Sequence, residues 1–483
     1  MQALVIDWKL SEGDRIADRA SETVTHATGK GAAMPRLASY YIPGLYVEDH
    51  SCRVPLDWTG KEPGQSVDGA SISLFYRVLC SPEHVHDDLP LLVFLQGGPG
   101  GAGPRPMNPS SEGWIAEASK HFRVVLPDQR GTGRSSPVGA ATMSVFHKGR
   151  EGADYLKHFL ADSIVRDFEH LRRSSFAGRK WTTLGQSYGG FLTLSYLSLY
   201  PEGIDAAFTT GGIPHIPASA TEVYEHTFPR MRAKTQEFYA RYPQDEARVA
   251  AVSDILAAGD VRLENGDPLS VEAFQTLGSN FGMKPSFETM HWLLDTAFRD
   301  GDGSLPGSGA GDMHLGEDFL NAVMTRLHSK PLYWPLQEFI YADGEIEPIR
   351  WAAQRVRDED PSFSTSARPL LFTGEAIFPW MFEQQGQLRP FKAALDVLME
   401  ESHWNRIYDT GQLARNDVPL QSAVYYDDMY VDSGMQLDTL SRVGNAHAWV
   451  TNGYEHDGVH GDAVFRTLFE QARDRGDLEA VFS

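Results

Sequence analysis

The sequence is poor in cysteine, in basic charge and in long apolar runs, and each shortage removes a class of protein. Two cysteines, Cys52 and Cys80, in 483 residues cannot build a disulfide framework and offer no metal-ligand spacing. Free thiols in a reducing, cytoplasmic compartment are therefore expected. No window approaches 18 consecutive apolar residues, and Met1 to Arg36 lacks a basic segment followed by an apolar one, so neither a membrane span nor a secretory signal is expected. Lysine and arginine number 43 against 65 aspartates and glutamates, a formal charge of −22. That excess repels phosphate backbones and anionic lipid, which argues against nucleic acid and membrane as partners. No internal repeat or low-complexity tract stands out.

What is present is enough apolar and aromatic material, 41% and 11% of residues, to bury a large core. The length calls for one big domain with a substantial insertion, or for two domains. Residues 1–36 are polar and rich in Gly, Ala and Thr toward Gly29 to Ala33, and are read as a poorly ordered extension. Leu45 to Val47, Val54 to Trp58 and Ile72 to Leu79 are enriched in β-branched and aromatic residues, as opening antiparallel strands would be.

A repeated pattern follows, in which an apolar run ends in a glycine-rich loop. Pro90 to Leu95 runs into Gln96-Gly-Gly-Pro-Gly-Gly-Ala-Gly103. Phe122 to Leu126 leads to Asp128-Gln-Arg-Gly-Thr-Gly-Arg134, Trp181 to Leu184 to Gly185-Gln-Ser-Tyr-Gly-Gly190, and Ile204 to Thr210 to Gly211-Gly212. Helices are expected between them, over Asp162 to Phe176 and Phe191 to Tyr200. Strands alternating with helices imply a mainly parallel sheet whose working loops lie at the carboxyl ends of the strands.

From Ile213 the texture becomes helical, with helices expected over Glu222 to Arg241, Gln244 to Ala258 and Val271 to Leu277, and a Gly/Ser loop over Gly301 to Gly311. Strand signals return at Pro419 to Tyr425 and Ala446 to Thr451, and a last helix is expected over Gly461 to Arg475. The resulting division is a first core part over 37–213, a mainly helical cap over 214–395 and a second core part over 396–483, with the cap inserted after the sixth strand.

Gly185-Gln-Ser-Tyr-Gly189 is a G-x-S-x-G pentapeptide with a strand before it and a helix after it, the setting of a nucleophile elbow in an α/β-hydrolase fold. Small residues two positions either side of Ser187 let strand and helix approach closely. A serine hydroxyl is a weak nucleophile at neutral pH and needs a histidine base oriented by a carboxylate. The chain order Ser, acid, His of this fold points to Asp427, Asp428 or Asp432 as acid and to His456 or His460 as base. His456, just beyond the last strand, is favoured over His460, and Asp432 reads as a turn or cap residue. Strand alternation does not separate Asp427 from Asp428. The amides of Tyr188 and of Gly98, with Gly97 as its rival, are the expected oxyanion donors. The loop lacks the endings of a phosphate cradle, and the acyl-transfer scheme requires no cofactor or metal.

Together Gln96-Gly-Gly-Pro-Gly100, Asp128-Gln-Arg-Gly-Thr-Gly-Arg-Ser135 and Gly185-Gln-Ser-Tyr-Gly-Gly190 resemble the motifs of the proline iminopeptidases of peptidase family S33. Tyr426-Asp-Asp-Met429 and Tyr454-Glu-His-Asp-Gly458 are similar to that family's acid and histidine loops. The resemblance runs from about Ser39 to the end, and it implies Asp428 as the acid. One departure is Gln96, where shorter members carry histidine. The resemblance further implies a peptide substrate with a free N-terminus, its amine held by a cap carboxylate and its proline ring packed on cap aromatics. Gly374-Glu-Ala-Ile-Phe-Pro-Trp-Met-Phe-Glu383 is similar to the cap segment that carries such groups, which points to Glu375 with Trp380 or Phe378, Glu222 and Glu225 being rivals. Arg130 and Arg134 are expected to brace the site floor through ion pairs. Competing readings are a broader aminopeptidase or esterase, and a non-catalytic binding protein that keeps the fold. Sequence leaves the oligomeric state unknown.

Overall fold

A computed structural model describes residues 36–298, 314–328 and 331–483. The expected extension lies outside the described residues except for Arg36, as does the Gly301 to Gly311 loop. Among the described residues nine strands form one sheet in the order β1-β2-β3-β5-β4-β6-β7-β8-β9: β1 (Arg36–Ile42), β2 (Leu45–Pro55), β3 (Ser71–Cys80), β4 (Leu91–Leu95), β5 (Arg123–Pro127), β6 (Trp181–Gln186), β7 (Ile204–Thr210), β8 (Leu420–Tyr425) and β9 (Ala446–Thr451). The first three are antiparallel and β3 meets β5 antiparallel. All pairings from β5 through β4, β6, β7 and β8 to β9 are parallel.

The central strands are apolar throughout because both faces are covered. Along β4, Leu91, Val93 and Leu95 enter one core cluster while Leu92 and Phe94 enter the other, the two-residue alternation of a strand shared between two layers. The first cluster takes in the helices Ala161–Ser175 and Tyr188–Leu199, and the second takes in Gly113–Ala118 and Ala463–Asp474. Both cysteines are free and buried, and burial pushes the Cys52 thiol up to about 12.

Three sequence expectations change. The pieces Leu45 to Val47 and Val54 to Trp58 belong largely to one long strand, β2, and Trp58 lies beyond its end. Strand β1 escaped notice because almost all of it is exposed, so no apolar alternation marks it. The insertion consequently follows the seventh strand in chain order rather than the sixth.

Between β7 and β8 the described residues form helices, among them Ala220–Arg241, Pro243–Ala258, Val271–Gln275, Ser286–Asp295, Glu317–Leu327 and Ala352–Glu359. The side chain of Ser219 accepts from the Glu222 amide and starts the first of these, as a serine at a helix N-terminus does. The boundary expected between residues 395 and 396 falls inside the helix Lys392–Leu398. Apolar side chains of the insertion, such as Phe228, Phe274 and Phe372, belong to the same continuous cluster as Val93 and Leu192 of the sheet layer. The insertion therefore shares a core with the sheet. Among the described residues no helix is long and apolar enough to cross a membrane.

Arg130 and Asp167 form a fully buried ion pair below the sheet's working edge. The guanidinium also donates to the carbonyls of Pro55, Leu56 and His158, and the Trp58 indole donates to Asp167 at 2.9 Å. Burial raises the Asp167 carboxyl above its ordinary range even with Arg130 opposing it. Arg130→Met strands a desolvated carboxylate, and urea denaturation should show a loss of about 3–5 kcal/mol. An unchanged midpoint would mean that the pair contributes nothing net.

Candidate active site

Ser187 ends β6 and begins the helix Tyr188–Leu199 with φ 55° and ψ −124°. Such a backbone state costs on the order of 1–3 kcal/mol and persists only where the surroundings determine it. The surroundings here are other backbones. A Cβ on Gly189 would lie 1.8 Å from the Leu95 carbonyl oxygen, one on Gly185 2.3 Å from that of Gly189, and one on Gly190 2.2 Å from that of Gly212. The Ser187 amide donates to the Thr210 carbonyl at 3.0 Å, and the Ser187 carbonyl accepts from Gly190 at 2.7 Å. Strand, helix and the loop after β7 are thus locked around one outward-facing serine.

The loop after β4 lies against this turn. A Cβ on Gly97 would sit 3.0 Å from the Ser187 Cβ, and Gly98 has φ +132°, a conformation closed to other residues. Both glycines line the same cavity as Ser187, so each remains a candidate donor, with the amide of Tyr188 as the helix's contribution. The Asp128-Gln-Arg motif holds this loop in place. Gln129 donates to the Gln96 carbonyl at 2.7 Å. Asp128, fully buried, accepts from the Gly103 amide at 3.0 Å and from that of Arg134 at 2.8 Å, and it pairs with Arg105. Arg134 pairs with Asp49 at 2.8 Å and lies over the Phe75 ring. Arg130 and Arg134 are therefore braces.

Beyond β8 and β9 the chain brings Asp428 and His456 together, with Oδ2 2.7 Å from Nδ1 and both side chains buried. The other carboxylate oxygen accepts from the amides of Tyr430 and Val431 at 2.8 and 3.0 Å. Asp427 is exposed, and Asp432 caps the helix Ser433–Leu440. His460 is exposed and pairs with Glu112. Burial works against charging His456, but the facing Asp428 carboxylate, helped by Glu375 and Asp457, holds the imidazole above the ordinary histidine range. Ser187, His456 and Glu375 line one open cavity of about 620 Å³.

The ring platform is corrected. Phe378 is fully buried between the Arg357 guanidinium and the Trp380 ring, and neither Phe378 nor Trp380 reaches the cavity. Its aromatic lining is Tyr333, Trp334 and Tyr430. The resemblance of Gly374 to Glu383 to the family's cap segment pointed to Trp380 or Phe378 as the platform, whereas the rings that face the cavity come from distant segments. No motif or periodicity marked them. Glu375 accepts a hydrogen bond from the Tyr333 hydroxyl. Of its rivals, Glu222 faces His215 and Glu225 is exposed, and neither lines the cavity. Among the described residues no cluster of side chains has metal-binding composition.

Residues 90–255 match the model of a family described as having the alpha/beta hydrolase fold. A proline iminopeptidase of Aeromonas sobria is 42% identical over 440 residues, covering 90% of this chain and 98% of its own. Another, from Aspergillus aculeatus, is 33% identical over 85% of this chain and 91% of its own. A solved proline iminopeptidase of Mycobacterium smegmatis aligns with 85% of this chain and 97% of its own at 13% identity and a TM-score of 0.39, too distant to add to the assignment. Full-length identity of this order, with every motif of the working edge in place around a strained serine, makes the chain a member of the proline iminopeptidase family of the α/β-hydrolase fold.

Proposed function

We propose that the protein is a serine aminopeptidase that releases N-terminal proline, or a similar small residue, from peptides. The observation that carries this reading is the buried 2.7 Å contact of Asp428 and His456 on the same cavity as a serine held at positive φ. Ser187 attacks the carbonyl of the first residue as His456 takes its proton, and Asp428 keeps Nδ1 protonated so that Nε2 serves as base. The oxyanion of the tetrahedral intermediate is held by the amide of Tyr188 and by that of Gly98 or Gly97. Protonated His456 then returns its proton to the leaving amine, and water releases the acyl group by the same route. Glu375 pairs with the substrate's amine, because a cation entering a partly dry cavity needs a compensating charge. Two free thiols suit the cytoplasm as its location.

The size of the cavity favours a second reading, a broader aminopeptidase or an esterase, since about 620 Å³ exceeds what one prolyl residue fills. A chromogenic panel separates the two: prolyl amide should turn over ahead of alanyl and leucyl amides and of acetyl and butyryl esters. Turnover of esters alone would end the peptidase reading. A fluorophosphonate probe should label the protein and fail to label Ser187→Ala; an unlabelled, folded wild type would indicate a binding protein.

The raised His456 sets a pH signature. The base must be neutral to act, and a raised pKa keeps it charged to higher pH, so activity falls as pH drops through that value. The acid limb of the fluorophosphonate labelling rate should therefore lie above about 6.5. A limb at or below that value would show that Asp428 does not dominate the imidazole.

Glu375→Gln removes the charge that meets the amine. The value of kcat/KM for prolyl amide should fall roughly 10- to 100-fold, chiefly through KM, in keeping with a charge-assisted contact. Labelling by the probe, which has no amine, should fall far less. Equal losses in both assays would remove Glu375 from substrate recognition.

A further inference from the structure

The segment Ser279 to Lys284 belongs to the insertion, yet it is bonded to both loops that carry the acid and the base. The Tyr430 hydroxyl donates to the Ser279 carbonyl at 2.8 Å and accepts from the Gly282 amide at 3.2 Å. The Gly282 carbonyl accepts from the His456 amide at 3.0 Å. The Lys284 amide donates to Asp457 at 3.1 Å. Tyr430 closes the circuit at its other end, since its own amide donates to Asp428 and its ring lies 4.6 Å from the imidazole. Gly282 leaves no slack, because a Cβ there would meet the Tyr430 ring at 2.5 Å. One residue before the histidine, Glu455 receives Lys234 of the helix Ala220–Arg241 at 2.7 Å, and the lysine side chain is mostly buried.

From this circuit we infer that Tyr430 is a positioning residue: through Gly282 it makes the insertion part of the frame that holds His456 against Asp428. A base that must pass a proton from the serine hydroxyl to the leaving amine loses rate when its position blurs by a fraction of an ångström. Two loops leaving adjacent parallel strands have no ladder beyond the sheet to keep them in register, and the insertion supplies the missing bonds. Burial first, then the nearby carboxylates of Glu375 and Asp428, push the Tyr430 phenol well above its ordinary range, so it stays a donor at working pH. The titratable groups facing His456 are Asp428, Tyr430, Asp457, His460 and Glu375, and of these Asp428, Tyr430 and Asp457 take part in the circuit.

The inference rests on Ser187, Asp428 and His456 being the reacting groups, and its test uses the fluorophosphonate probe so that substrate preference does not enter. Tyr430→Phe keeps the ring and removes both bonds to the insertion. It should melt near the wild type, label ~10-fold more slowly, and shift the acid limb of labelling to lower pH as Asp428 loosens its hold and burial dominates. With prolyl amide, kcat should fall with KM little changed. Lys234→Gln, which releases the same loop from the other side, should move labelling rate and acid limb in the same directions. Folded variants with wild-type rates and an unmoved limb overturn the inference. So does loss of fold in both, since the contacts would then maintain the fold rather than the base. If the wild type labels normally but leaves prolyl amide intact, the peptidase reading fails and this one stands; a wild type that never labels removes the premise of both.

Discussion

Backbone packed against backbone around Ser187 is the constraint on which the site depends. The strand before the serine, the helix after it and the loops after β4 and β7 meet at distances where no Cβ fits, and glycine is the residue that permits such approach. The positive φ of Ser187 is the consequence: with its neighbours fixed, the chain turns at that residue and sends the hydroxyl into the cavity. The same packing sets Gly97 beside the serine, so Ser187 and the loop after β4 are positioned by one set of contacts. Energy stored in the turn is small beside the core that surrounds it.

Around this turn the protein sorts its charges by access to the cavity. Arg130 with Asp167, and Asp128 with Arg105 and two amides, are structural pairs that tie the glycine-rich loops to the sheet. Asp428 with His456 is buried as deeply, but its histidine opens onto the cavity. Burial alone would neutralise that histidine, and the carboxylate facing it reverses the balance. Asp428 with His456 thus differs from the two braces in access to the cavity rather than in composition, because all three combine a carboxylate with a cationic partner.

The insertion adds more than a roof. It shares the apolar core of one sheet layer, supplies Glu375, Tyr333 and Trp334 to the cavity, and is bonded to the histidine and acid loops through Ser279 and Gly282. The bonds of Tyr430 to Ser279 and Gly282 and of His456 to Gly282 each join residues more than a hundred positions apart in the chain.

The sequence by itself determined the central sheet, the flanking helices Ala161–Ser175, Tyr188–Leu199 and Ala463–Asp474 though not Gly113–Ala118, and the strand-serine-helix turn, because these rest on short-range patterns: apolar runs closed by glycines and a pentapeptide between strand and helix. Family likeness in Tyr426 to Met429 singled out Asp428, which alternation alone could not separate from Asp427. Tertiary structure alone decided what lines the cavity. Likeness to the family's cap segment pointed to Trp380 or Phe378 as a substrate platform, yet Phe378 is sealed against Arg357 and Trp380, while Tyr333 and Tyr430 face the cavity from other segments. Strand β1 was likewise invisible, since an exposed edge strand carries no apolar alternation. Periodicity reports which side of an element is buried; it does not report which distant elements meet there, and that meeting is what makes a pocket.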